Sequence, residues 1–204
     1  MIRTLALVSQ KGGSGKTTLA LALAAAHERG GGQATVIDLD PQGSATVWGR
    51  LRDGVPPVVT PAHPPRLARV IATAAAAGAS LAVVDTAPRE AGGAAEAARL
   101  ADLVLIPCRP SAVDLAAVPA TLATVGAVDA LAVLNACPPR GRWVAEATDA
   151  VRTFGLGLAP VTLGARVAHA KAFTLGRTAQ ETEPSSPAAG EAAALYRWAM
   201  EALS

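Results

Sequence analysis

Cysteine is scarce in this 204-residue sequence: Cys108 and Cys137 are the only two. They form neither a CxxC pair nor the dense framework of a secreted disulfide scaffold, which sets aside a zinc site and a stapled extracellular fold. Both lie among apolar residues and read as small buried hydrophobes. No apolar run reaches the roughly 18 to 20 uncharged residues that span a bilayer, because Gly, Pro or a charge interrupts each one. The opening MIRTLALVSQKGG is too short in apolar residues for the core of a signal peptide. A cytoplasmic protein is therefore expected. Charged residues make up only 17% against 51% hydrophobic, which excludes a disordered or fibrous chain and suits one compact domain over residues 1–204. The formal net charge of +2 is too mild to mark a nucleic-acid binder, although a local basic face remains compatible with it.

Short apolar runs of strand type alternate with longer alanine-rich stretches of helical type. That alternation predicts an α/β fold with a mostly parallel central sheet flanked by helices. The predicted strands are Thr4–Val8, Ala34–Ile37, Leu81–Val84, Leu103–Ile106, Val128–Leu134 and Leu156–Val161. A helix over Lys16–Arg29 has Leu19, Leu23 and Ala26 at three- and four-residue spacing and is ended by Gly30 to Gly32. Further helices are predicted at Ser44–Arg52, Arg66–Ala77, Ala91–Leu100, Leu115–Val125, Trp143–Phe154 and Ala188–Leu203. The proline-rich Val55–Pro65 reads as a surface connection, since proline offers no donor to a sheet interior. Glu181–Pro187 reads as a second irregular stretch.

The string QKGGSGKTT, Gln10 to Thr18, follows a predicted strand and opens a predicted helix, the context that makes a glycine-rich string a P-loop. Gly12, Gly13, Ser14 and Gly15 turn the backbone tightly and bring successive N–H groups onto phosphate oxygens, aided by the helix N-terminus. Lys16 is placed for the β- and γ-phosphates, Thr17 for magnesium and Thr18 for the neighbourhood of the α-phosphate. A standard GxxxxGK[ST] loop has glycine where this chain has Gln10, and does not require the second lysine, Lys11.

Two acidic segments accompany the loop. Asp38 and Asp40 stand at the C-terminal end of the second strand, where ligands bind in open α/β sheets, and their alternation points them to one side. Asp85 ends the apolar run Leu81–Val84, the form of a carboxylate that holds magnesium through water.

These residues resemble the ParA family of DNA-partitioning ATPases, within the deviant Walker A group that also includes MinD and the nitrogenase iron protein. The likeness is carried by KGGSGKTT, DLDPQG, LAVVDTAP and LVLIPCRPSAVDL, and continues weakly through Ala165-Arg166 and Lys171 in the manner of the small plasmid ParA subgroup. It implies an ATP- and Mg2+-dependent homodimer in which Lys11 reaches across to the partner's nucleotide. It also implies that Asp40 orients the attacking water, that Asp38 supports the magnesium shell and that Asp85 is the Walker B acid. Pro110 to Asp114 would lie near the dimer interface, and Asn135 would either contact adenine or cap a turn. The implied partners are nonspecific DNA and a centromere-binding, ParB-like protein, with a nucleoid-associated location.

Residues 140–177 hold Arg140, Arg142, Arg152, Arg166, Lys171 and Arg177 against Glu146 and Asp149, a surface suited either to DNA phosphates or simply to solvent. Arg166 and Lys171 match the basic positions of small partition ATPases and are the preferred DNA contacts. A MinD-like membrane ATPase would need a basic amphipathic C-terminal helix, whereas EAAALYRWAMEALS has one arginine against two glutamates. A metabolic P-loop ligase is the other alternative, but no added substrate-binding segment supports it. The cysteines do not sit in glycine-rich ligand loops, which argues against an iron–sulfur cluster.

Overall fold

The computed structural model describes residues 1–126 and 128–204. In chain order the elements are β1 (Arg3–Leu7), α1 (Lys16–Arg29), β2 (Ala34–Asp38), α2 (Ser44–Leu51), β3 (Val58–Pro61), α3 (Leu67–Ala76), β4 (Leu81–Asp85), α4 (Ala91–Leu100), β5 (Leu103–Cys108), α5 (Ala112–Leu115), α6 (Val118–Val125), β6 (Ala130–Leu134), α7 (Trp143–Thr153), β7 (Gly157–Leu158), α8 (Val167–Thr174), α9 (Ala179–Thr182) and α10 (Pro187–Ala202). The seven strands form one sheet in the order β3-β2-β4-β1-β5-β6-β7, and every pairing is parallel. The chain builds outward from β1 to one edge and then, from β4, to the other. The order therefore reverses beside β1, the place where open α/β sheets bind ligands.

Strand residues alternate between two cores. Leu5 and Leu7 of β1 pack with Leu19 and Leu23 of α1, Trp48 of α2 and Leu195 and Ala199 of α10. Ala6 and Val8 join Ala94 and Ala97 of α4, Val118 of α6 and Val151 of α7 on the opposite face. A strand covered on both sides reads as an unbroken apolar run, which is why β1, β4 and β5 were visible in the sequence. Helix α1 lies between the sheet and α10, and Leu19 to Ala26 are all buried. Its alanines let the two helices approach closely.

The expected fold class is the one observed, with local differences. Val55–Pro65 is not wholly irregular: it contains β3, an edge strand that pairs only with β2 and ends at Pro61. An edge position tolerates proline because its missing N–H has no neighbour to bond. The predicted strand Leu156–Val161 contracts to Gly157–Leu158, since Pro160 cannot donate, although Ala159 and Leu163 still donate to Ala132 and Leu134 of β6 at 2.8 and 2.9 Å. Glu181 lies in a short helix, not in an irregular stretch. Thr178 and Glu181 form a reciprocal capping box, a T-x-x-E signal present in the sequence.

Candidate nucleotide site

β1 delivers its chain into a loop that turns back at Gly13 (φ +73°) and Gly15 (φ +101°) before α1 begins at Lys16. Both angles lie in the left-handed region where a Cβ is strained. Lys16 folds back into this loop: its Nζ donates to the Ser9 carbonyl at 3.1 Å, and the residue is buried. Burial pulls its pKa below the usual lysine range, while the charges of Asp85 and Asp40 oppose that shift. An ammonium held in place by the loop itself is pre-organised for anionic oxygens.

The two acidic strands differ in what their carboxylates do. Asp38 and Asp85 are register partners on adjacent β2 and β4, so they stand abreast at the strand ends. Asp38 Oδ1 accepts from the Asp40 N–H at 3.1 Å, and its Oδ2 accepts from both the N–H and the hydroxyl of Thr46 at 2.8 Å. It therefore binds down the turn and the first turn of α2. Asp85 is fully buried, and neither of its oxygens has a hydrogen-bond partner. Burial pushes its pKa up to about 7; the Asp38 charge adds to this, and the nearby Thr17 hydroxyl and Lys16 ammonium oppose it.

A buried, unpartnered carboxylate is costly without a cation to face it. Among the described residues no group of three or more His, Cys, Asp or Glu could hold a metal by itself. The donor set fits magnesium, which takes one or two carboxylates and leaves its other positions to water and phosphate oxygens. Thr17 and Asp85 could hold such an ion, with Asp38 alongside Asp85 at the neighbouring strand end.

Around the loop lies an open cleft of about 450 Å3, lined by Gly13, Gly15, Lys16, Thr17, Thr18, Asp40 and Asn135 among others. Asp40 faces it with Oδ1 accepting from the Gln42 N–H at 2.9 Å. Asn135, beyond the end of β6, donates from Nδ2 to the Ser14 carbonyl at 2.7 Å. The structure thus ties Asn135 to the phosphate loop from the side of the cleft away from the acids. A larger cavity of about 580 Å3, between α3 and the β2–β3 edge, contains none of these groups.

Arg109, Pro88, Arg166 and His169 also line the cleft, and apart from Arg166 none was singled out in the sequence. Arg109 directly follows β5, so the rule placing ligands at strand C-termini was the available signal. Pro110 to Asp114 lead into α5, capped by Ser111, whose Oγ donates to Asp114 Oδ2 at 2.6 Å and accepts from the Asp114 N–H at 3.2 Å.

The preferred DNA contacts differ in setting. Arg166 pairs with Glu191 at 2.6 Å, whereas Lys171 on α8 is exposed and pairs with no acid among the described residues. Arg177 and Arg152 also have acidic neighbours, Glu181 at 3.5 Å and Asp149 at 3.9 Å. Cys108 and Cys137 are free and buried, and burial pushes their thiols up to about 12 and about 11.

A phosphate loop between a central parallel strand and its helix, with carboxylates on the adjoining strand ends, defines a P-loop nucleotide-binding protein. The model of the CobQ/CobB/MinD/ParA nucleotide binding domain matches residues 5–136, and the chain belongs to that family. It is 56% identical over 45 residues to the chromosome-partitioning ATPase Soj of Thermus thermophilus, covering 22% of this chain and 18% of Soj. It is 37% identical over 119 residues to the maintenance of carboxysome distribution protein A of Gloeobacter kilaueensis, covering 56% of this chain and 52% of that protein. The matched segments thus span about half or less of these curated relatives. The solved Cyanothece McdA–ATP complex superposes with a TM-score of 0.76 at 17% identity, over 99% of this chain and 96% of that one. The likeness to ParA proteins drawn from the motifs is borne out. No helix among the described residues is long and apolar enough to cross a membrane.

Proposed function

We propose that this protein is a magnesium-dependent ATPase that closes as an ATP-bound sandwich dimer, holds nonspecific DNA in that state and releases it on hydrolysis. The observation that carries the nucleotide half is Asp85, a wholly buried carboxylate with both oxygens bare, beside the Lys16 and Thr17 end of the phosphate loop. In this reading Gly12 to Thr18 cradle the phosphates, Lys16 neutralises charge at the β- and γ-positions and Asp40 orients the attacking water. Bound magnesium, held by Thr17 and Asp85, would supply neutralisation of phosphate charge. Lys11 would cross to the partner's nucleotide, so that nucleotide loading and dimerisation are linked.

Similarity to Soj and to the carboxysome distribution protein supports a positioning role for a large cargo. A ParB-like partner bound to a centromere-like site would accelerate hydrolysis. The basic residues from Arg140 to Arg177 would serve DNA phosphates, with Lys171 the freer of the two preferred contacts. Helix α10 gives no support to membrane recruitment, because Ala188, Ala189, Ala192, Leu195 and Ala199 are buried in the core.

The test is DNA binding by Asp40→Ala, which should trap the ATP state. Fluorescence anisotropy with a random duplex is expected to show binding with ATP but not with ADP or without nucleotide, weakened by salt and by Lys171→Ala. Absence of binding in every nucleotide state would refute the DNA half and leave the ATPase half standing.

A further inference from the structure

Arg109 occupies a position that the reading above leaves without a task. It directly follows β5, next to β1 in the sheet, and its side chain is exposed within the phosphate cleft. The guanidinium Nη2 donates to the carbonyl of Gly13, and a Cβ built on Gly13 would lie 3.2 Å from it. It pairs with no carboxylate among the described residues.

Its backbone is well anchored. The Arg109 carbonyl accepts from the Ser111 N–H at 2.8 Å, the preceding Cys108 carbonyl accepts from the Asn135 N–H at 2.8 Å, and Ser111 and Asp114 bond each other just beyond. A long cation is thus carried on a fixed base against the loop that receives phosphate. One neutral carbonyl uses a single donor of a group that has five. A phosphate oxygen pair would bind the same fork with two charge-assisted bonds and is the stronger acceptor.

Lys16 serves the phosphates from a different position, since its ammonium is buried against the Ser9 carbonyl. The helix N-terminus at Lys16 to Thr18 takes the inner phosphates, which leaves the leading half of the loop, Gly12 and Gly13, beside the terminal one. We propose that Arg109 exchanges the Gly13 carbonyl for the γ-phosphate of ATP bound in its own protomer, acting as an arginine in cis that distinguishes ATP from ADP. This rests on the nucleotide reading of the cleft.

The test is calorimetric binding of ADP and of the non-hydrolysable analogue AMP-PNP, both with magnesium, to wild type, Arg109→Ala and Arg109→Lys. Arg109→Ala is expected to weaken AMP-PNP about ten- to hundredfold, the worth of a hydrogen bond to a charged group, and to leave ADP unchanged. Arg109→Lys should recover part of the loss, because an ammonium keeps the charge but not the fork. Equal weakening of both nucleotides would mean that Arg109 only shapes the loop through Gly13 and would overturn the proposal. So would unchanged binding of both. Failure of wild type to bind either nucleotide would instead refute the nucleotide reading itself. Matched melting temperatures of ligand-free wild type and variants establish that the fold is intact.

Discussion

Asn135 and Ser14, distant in sequence, are joined by a hydrogen bond from the Asn135 amide to the Ser14 carbonyl at 2.7 Å. The bond crosses the cleft from the end of β6 to the middle of the phosphate loop. A Cβ placed on Gly15 would fall 2.0 Å from Asn135 Nδ2, at a backbone φ of +101°. Gly15→Ala therefore has to strain the loop and expel Asn135. Its expected cost is about 1–3 kcal/mol in chemical denaturation, together with loss of nucleotide binding. Asn135→Ala keeps the backbone and should weaken nucleotide binding while changing stability less.

When ionised, Asp85 bears a charge to which the ligand-free protein gives no hydrogen-bond partner. Asp85→Asn removes that charge and keeps the shape, so the ligand-free variant is expected to melt at or above the wild-type temperature. Its thermal shift on adding magnesium with AMP-PNP should vanish, whereas wild type at 100-fold over Kd should gain about 2.7 kcal/mol. A variant that kept the shift would remove Asp85 from the metal site.

Lys11 makes no ion pair among the described residues, and its side chain is only half-buried. Lys11→Ala is expected to bind ATP as a monomer, to fail to dimerise in analytical ultracentrifugation and to lose turnover. Unchanged turnover would remove its role across the dimer.

Arg52 is buried in an ion pair with Glu181 at 3.0 Å, bonds the Gly176 carbonyl at 2.8 Å and lies 4.4 Å from the centre of the Trp48 ring. It joins α2 to the α8–α9 segment. Arg52→Ala removes a buried guanidinium and its bonds to Gly176 and Glu181, while Glu181 keeps Thr178 and Arg177, and is expected to cost about 1–3 kcal/mol. Burial raises the Glu181 pKa, but Arg52 and the Thr178 N–H and hydroxyl outweigh it, so the net value lies below the usual 4.5. A depressed carboxylate stabilises above its unfolded value and loses that contribution as pH falls through the folded one. The stability gap between wild type and Glu181→Gln, measured in urea, should therefore be constant above about pH 5 and shrink below 4.5.

Much of the site was readable because its signals are local. A strand, three glycines, a lysine and two threonines in one short run specify a turn and a helix N-terminus whatever the rest of the chain does, and Gly13 and Gly15 adopt positive φ angles that glycine takes without strain. Buried parallel strands likewise announce themselves as apolar runs. β3 and α8 were missed for the opposite reason. The edge strand is only half-covered and carries prolines nearby, and the mean burial of α8 is low, with Ala172 its one buried residue.

The local grammar of loop, strands and helices was therefore written in the order of residues, and with it the class of ligand. Which strands are neighbours was not, since parallel pairing joins segments through crossovers whose partners no local pattern names. Assembly of the sheet set Asp38 beside Asp85 and spent the first on Thr46 while leaving the second bare. It also brought Arg109 onto Gly13 and tied Arg166 to Glu191. A side chain's charge is a property of its residue, but its partner is a property of the packed chain, and that packing separates two aspartates of identical chemistry into one bonded to its own turn and one left without a hydrogen-bond partner.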